Sequence, residues 1–119
     1  MTTKTEAKQL AAEMLKIVPI GQAMQSQHDT RMGEAYDEVY GQLQVKGLAV
    51  WDSTGEMPDE ITPYFVTLMA HNKFDLYKVS DSLYQRILFK AGPEGEKAVG
   101  NIRYLVNGSY ISEDDETDF

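Results

Sequence analysis

The stretch YQRILFKAGPEGEKAVGNIRYL, residues 84–105, decides how the rest of the chain is read. Gly92-Pro93-Glu94-Gly95 in its middle has the composition of a helix breaker. Yet Tyr84, Leu88, Ala91, Gly95, Ala98, Ile102 and Leu105 keep alternating spacings of four and three straight across it. A connection of arbitrary length loses that phase. The pattern therefore predicts one long kinked helix, or two helices meeting nearly coaxially at Pro93. Ser80 or Asp81 caps its start, and Asn107-Gly108 stops it in a left-handed cap.

Working back toward the N-terminus, a helix that begins after Pro58 carries Ile61, Phe65, Leu68 and Met69 on one stripe and extends to Phe74, Leu76 and Tyr77. Pro63 fits only in its first turn, where a missing N–H is harmless. Before it, Asp52-Ser53-Thr54-Gly55-Glu56-Met57-Pro58 is turn chemistry, and Leu48, Val50 and Trp51 form a brief strand or an extended segment. A further helix runs from His28 or Asp29 to about Lys46 on the stripe Met32, Tyr36, Val39 and Leu43, and Gly47 ends it. The first helix covers about 5–18, with Thr5 as N-cap and Ala7, Leu10, Met14 and Ile17 as its stripe; Pro19 and Gly21 end it. The expected fold is all-α: a small four-helix, mostly antiparallel bundle with a long kinked C-terminal helix and an extended C-terminal tail. Leu10, Met14, Val39, Leu43, Leu68, Ile87, Ile102 and Leu105 are expected to form its core. The division is a helical body at 1–108 and an acidic tail at 109–119.

The chain's 119 residues suffice for one domain. Basic residues number 11 against 19 acids, and five acids, Glu113, Asp114, Asp115, Glu116 and Asp118, crowd the last seven positions. A body with so little charge excess has no surplus of cations for phosphates, which speaks against affinity for nucleic acid or anionic membranes. There is no cysteine, so thiolate metal sites, disulfides and cysteine nucleophiles are excluded. No apolar run approaches the length of a membrane span, and no secretory signal opens the chain, so the cytoplasm is the expected place of synthesis and assembly.

Catalytic patterns are missing. His28 and His71 are 43 positions apart and form no ligand pair on one helix face. The serines lie in no nucleophile-elbow context, and the pairs Asp37-Glu38 and Asp59-Glu60 read as solvated helix faces. The acidic tail lacks the alternation and glycine of a calcium loop. The expectation is no enzyme, no cofactor and no metal. Seven tyrosines exceed what so small an interior hides, and amphipathic rings are enriched at interfaces. Tyr40, Trp51 and Tyr64 are therefore the candidates for contacts between subunits. In the tail, Tyr110, Ile111 and Phe119 bracket the five acids as apolar anchors, so 109–119 reads as a docking peptide for a basic groove on another protein.

The order of these elements carries a likeness. Leu15-Lys16-Ile17-Val18-Pro19-Ile20 closes a short first helix, and Leu43 to Trp51 makes an apolar exit from the second. A loop then closes on Met57-Pro58-Asp59-Glu60-Ile61, Leu68-Met69-Ala70 lies in the third helix, and Ile102-Arg103-Tyr104-Leu105 ends the last. Over about residues 7–106 this resembles the head-to-tail adaptor, or connector, proteins of tailed bacteriophages. The resemblance implies a virion protein without catalysis, a homo-oligomeric and typically dodecameric ring beneath the portal. The C-terminal segment would bind the portal, the opposite face would meet a tail or nozzle protein, and DNA would pass through the ring without specific binding. An acidic helical interaction protein, such as a DNA mimic that inhibits a host factor, is the alternative; it calls for acids in two phosphate-like rows.

Overall fold

The computed structural model describes the backbone of residues 1–110 and the side chains of 1–108. It is a mostly antiparallel four-helix bundle with a bent last helix, as the periodicity predicts, and no strand occurs among the described residues.

Helix α1 spans Lys4–Met14. Its cap is Thr3, not the expected Thr5: the Thr3 hydroxyl accepts the Glu6 N–H at 3.1 Å, and the Glu6 carboxylate accepts the Thr3 N–H at 3.1 Å. This reciprocal pairing satisfies two amide donors that a helix start leaves open. The helix also stops four residues earlier than Pro19 suggested, because Lys16 turns into the left-handed region at φ 59°. The buried face is another correction. Ala7, Ala11 and Ala12 are inaccessible, whereas Leu10 is 42% exposed and Met14 half-buried. Small side chains let α1 approach its neighbours closely, and the larger ones are left at the rim.

Helix α2 spans Ser26–Val45 and buries Met32, Ala35, Tyr36, Val39 and Leu43. Gly47, at φ +73°, reverses the chain, and the following residues run extended over the helices without pairing into a strand. The 52–58 turn is tied instead to the N-terminus, where the Thr2 N–H reaches the Met57 carbonyl at 2.8 Å and the Met57 N–H returns to Thr2 at 2.7 Å.

Helix α3 spans Thr62–Lys73, with Pro63 in the first turn, and continues as the tight turn Phe74–Leu76. It packs against every other helix, and accordingly seven of its residues are buried around its circumference. A segment apolar on nearly all sides belongs in the middle of a bundle.

The bent fourth helix consists of α4, Asp81–Ala91, and α5, Glu96–Leu105. The Ser80 hydroxyl caps it by accepting the Leu83 N–H at 3.3 Å. At the junction Gly92, Glu94 and Gly95 all have positive φ, yet Ala91, Gly95, Ala98 and Ile102 stay buried on one face. The expected stop at Asn107-Gly108 is replaced by a wider π-helical turn over Val106–Tyr110, which carries the backbone past the 108/109 division. Of the remaining expected core, Val39, Leu43, Leu68, Ile87 and Ile102 are buried and Leu105 is half-buried.

Candidate functional site

Of the three aromatic interface candidates, Trp51 turns inward and Tyr40 is half-buried against it. Trp51 is 8% exposed, and its indole N–H donates to the Tyr36 hydroxyl at 3.0 Å. Tyr40 donates its hydroxyl proton to the Trp51 carbonyl at 2.6 Å. The Phe65 ring closes the group, with centroids 4.9 Å from Tyr36 and 5.5 Å from Trp51. This cluster clamps the extended 48–51 segment onto α2 and α3, so Trp51 is a core residue of the single chain and offers a neighbour little surface. The polar handles of the rings are satisfied internally, which is why they can be buried. Tyr64 is half-buried and faces a groove described below.

Of the acids expected on solvated faces, Asp37, Glu38 and Asp59 are ion-paired, Asp59 with the N-terminal ammonium at 2.8 Å, and two further acids of α2, Asp29 and Glu34, are paired as well. Asp37 meets Lys4 at 2.9 Å and Asp29 meets Lys8 at 2.9 Å, while Lys73 lies between Glu34 at 3.8 Å and Glu38 at 3.5 Å. These pairs tie the acidic side of α2 to α1 and α3. His28 Nδ1 is 3.1 Å from the Tyr77 hydroxyl, and His71 packs on Phe74. Among the described residues no three of His, Asp or Glu converge as a metal site. A shallow hollow between α2, α3 and the junction holds His71 and Asn72, whose buried Oδ1 has no hydrogen-bond partner among the described residues.

The distinctive surface is a groove where the end of α1 meets α3 and the bent helix. It comprises two hollows of ≈ 200 and ≈ 340 Å³ that share Met14 and Lys90 as a common wall. Met14 and Tyr64 supply apolar lining, and Lys16, Arg86, Lys90 and Lys97 surround it with positive charge. None of those four cations forms an ion pair among the described residues. Beside them Phe89 is 74% exposed, with the Lys97 ammonium 4.1 Å from its ring centroid. Sequence reasoning missed this groove. Arg86, Lys90 and Lys97 do share one helical phase, at spacings of four and seven, but only the tertiary meeting with Lys16 makes them a cluster.

Among the described residues Glu13 is the one acid lining the groove, and it is engaged. Its carboxylate accepts the Gly21 N–H at 3.0 Å and the Gln9 amide at 2.8 Å. The Gly21 backbone bond, followed by that of Gln9, holds its pKa below the ordinary 4.5. A lowered carboxyl pKa contributes stability above the unfolded value, and that contribution fades as pH falls through the lowered folded value. An NMR titration of the Glu13 side chain is expected to give a midpoint under 4.5. Glu13→Gln should flatten the acid-side loss of stability; an ordinary midpoint with an unchanged slope contradicts the bonded geometry.

Of the tail candidates, Ile111, Glu113, Asp114, Asp115, Glu116, Asp118 and Phe119 lie outside the described residues, as does the side chain of Tyr110. Comparison with protein-family models, curated proteins and solved structures finds no match, so the chain's own surfaces carry the functional argument.

Proposed function

We propose that the chain is a non-enzymatic structural subunit of a phage virion, closing into a dodecameric ring in the neck of the particle between the portal and a tail or nozzle protein. Assembly takes place in the host cytoplasm, and DNA passes through the ring without specific binding. The acidic segment 109–119 is the docking element for the portal. Tyr110, Ile111 and Phe119 supply lasting contacts, and the five acids steer encounter and fix register.

The observation that supports this reading is large apolar surface left uncovered on a small body. Val45 is 90% exposed at the end of α2, Phe89 is 74% exposed on α4, and Tyr104 is 78% exposed on α5. Single exposed apolar side chains are common on soluble surfaces, and these three are assigned to contacts with neighbouring copies because they stand on separate elements. Dissimilar faces on one subunit are what a head-to-tail contact between identical copies joins, and such contacts close into rings when the rotation permits. The aromatics that make lateral contacts are then Phe89 and Tyr104, in place of Trp51.

The test is electron microscopy of purified portal-bearing heads incubated with the chain. A ring of added density beneath the portal is expected, and Phe89→Ser with Tyr104→Ser should reduce its occupancy without lowering the thermal midpoint of the free chain. Heads that acquire no density, from a chain that is folded and in excess, overturn the proposal.

A further inference from the structure

We infer that the groove formed by Lys16, Arg86, Lys90 and Lys97 is a receptor for the acidic C-terminal segment of a second copy of this chain. The inference rests on the reading of 109–119 as a docking peptide and names a surface that receives it. The occupant follows from complementarity. The groove gathers four cations that are unpaired among the described residues around Met14 and Tyr64, with an exposed aromatic, Phe89, at its edge. The segment 110–119 places five acids between Tyr110-Ile111 and Phe119. Apolar ends around an anionic middle match an apolar floor inside a cationic rim.

The lengths agree as well. Taken at the α-helical rise of 1.5 Å per residue, Arg86 to Lys97 spans about 16 Å. The acids from Glu113 to Asp118 span about 17 Å when extended, at roughly 3.4 Å per residue. A peptide laid extended along the groove can therefore set alternate carboxylates against the row Arg86, Lys90 and Lys97.

Length also favours a neighbour's segment over the chain's own. Residue 110 lies about 20 Å of helical rise beyond Lys97. The nine residues 111–119 reach about 30 Å fully extended. Doubling back over that rise leaves the segment 111–119 at most about 10 Å of reach past Lys97, less what the turn itself takes. A second copy meets no such restriction. A segment held in this way is not free for a portal, so pairing between copies and docking on the portal are successive states of one element. The pairing is heterologous, each copy giving its tail and offering its groove.

A charge exchange in the full-length chain tests the inference. One variant carries Lys90→Glu with Lys97→Glu, and another carries Asp114→Lys with Asp115→Lys. Sedimentation equilibrium should show the wild type self-associating, with a dissociation constant about tenfold weaker in 0.5 M than in 0.05 M salt, as screening of exposed charges dictates. Each variant alone should lose association by at least about tenfold, since like charges then face each other. An equimolar mixture should recover it, the reversed tail of one fitting the reversed groove of the other. Circular dichroism checks that both variants remain folded.

Wild type that stays monomeric at all concentrations, variants that associate as the wild type does, or a mixture that fails to recover would each overturn the second-copy groove. The same proteins separate this outcome from the adaptor reading. The groove variant keeps its acidic tail and should still join portal-bearing heads. If the exchange behaves as expected and no protein joins heads, the groove stands and the portal reading falls; if heads are joined and the exchange fails, the reverse holds.

Discussion

Replacing Gly92 with alanine is expected to lower the thermal midpoint by on the order of 15 °C, since a loss of about 1 kcal/mol shifts a domain of this size by roughly 4 °C. Gly92 sits at φ 78°, ψ 174°, a backbone conformation almost exclusive to glycine. A side chain there costs about 1–3 kcal/mol for backbone strain alone. The added Cβ would also lie 2.6 Å from the Lys97 Cβ and 2.8 Å from the Lys97 backbone nitrogen. Those atoms belong to the first turn of α5 and cannot swing aside as a side-chain tip can. Relieving the overlap means moving α5 against α4, a repacking that costs about 1–3 kcal/mol more. Gly100 is the control: it is in the interior of α5 with nothing within 4 Å of its missing Cβ. Gly100→Ala should instead stabilise by about 0.5–1 kcal/mol through helix propensity. Thermal melts of the two variants should move in opposite directions. A Gly92→Ala midpoint within a few degrees of the wild type would mean that the junction does not hold this conformation.

The junction also shows how far the chain could be read from its residues. The spacing through 84–105 is legible in part: Ala91, Gly95, Ala98 and Ile102 are buried, whereas Tyr84, Leu88 and Leu105 are half-buried and Ile87 takes the core position on α4. The same logic failed on α1. A stripe chosen by side-chain size picks Leu10 and Met14, while close packing of α1 selects Ala7, Ala11 and Ala12. Thr5 offers a hydroxyl for the cap but has Lys8 three positions on, whereas Thr3 has Glu6 there and so completes the reciprocal pairing. The candidate site was less legible than the fold. Trp51 was expected at an interface because it follows the helix in an apolar segment, and nothing local reveals that Tyr36 and Phe65 wait to enclose it. The groove needs Lys16 from one end of the chain beside Arg86 and Lys90 from the other. Such juxtapositions are tertiary, and no periodicity within one element announces them.

Trp51→Ala should be among the most destabilising single changes, at about 3–5 kcal/mol for the lost ring and the cavity it leaves. The ring fills the space between Tyr40 and Phe65, with centroids 5.6 Å and 5.5 Å away in edge-to-face geometry. Its loss also strips the buried Tyr36 hydroxyl of the indole N–H that bonds it at 3.0 Å. Burial already pushes the Tyr36 pKa up, so its proton stays in place and the hydroxyl remains neutral. An unpaired buried hydroxyl of this kind costs about 1–3 kcal/mol. Trp51→Phe separates the two effects, because it keeps most of the apolar volume and deletes only the N–H and the second ring. It should cost about 1–2 kcal/mol, chiefly the abandoned hydrogen bond. Tyr36→Phe in the same background should then recover part of that loss, since removing both partners leaves no orphaned group. Denaturant titration followed by circular dichroism reads all three variants on one scale. If Trp51→Ala melts with the wild type, the indole is not enclosed in the single chain and its place is at a subunit contact. If Tyr36→Phe fails to recover anything in the Trp51→Phe background, the indole acts by filling space, and its hydrogen bond to Tyr36 adds nothing to the hold of the 48–51 segment on α2 and α3.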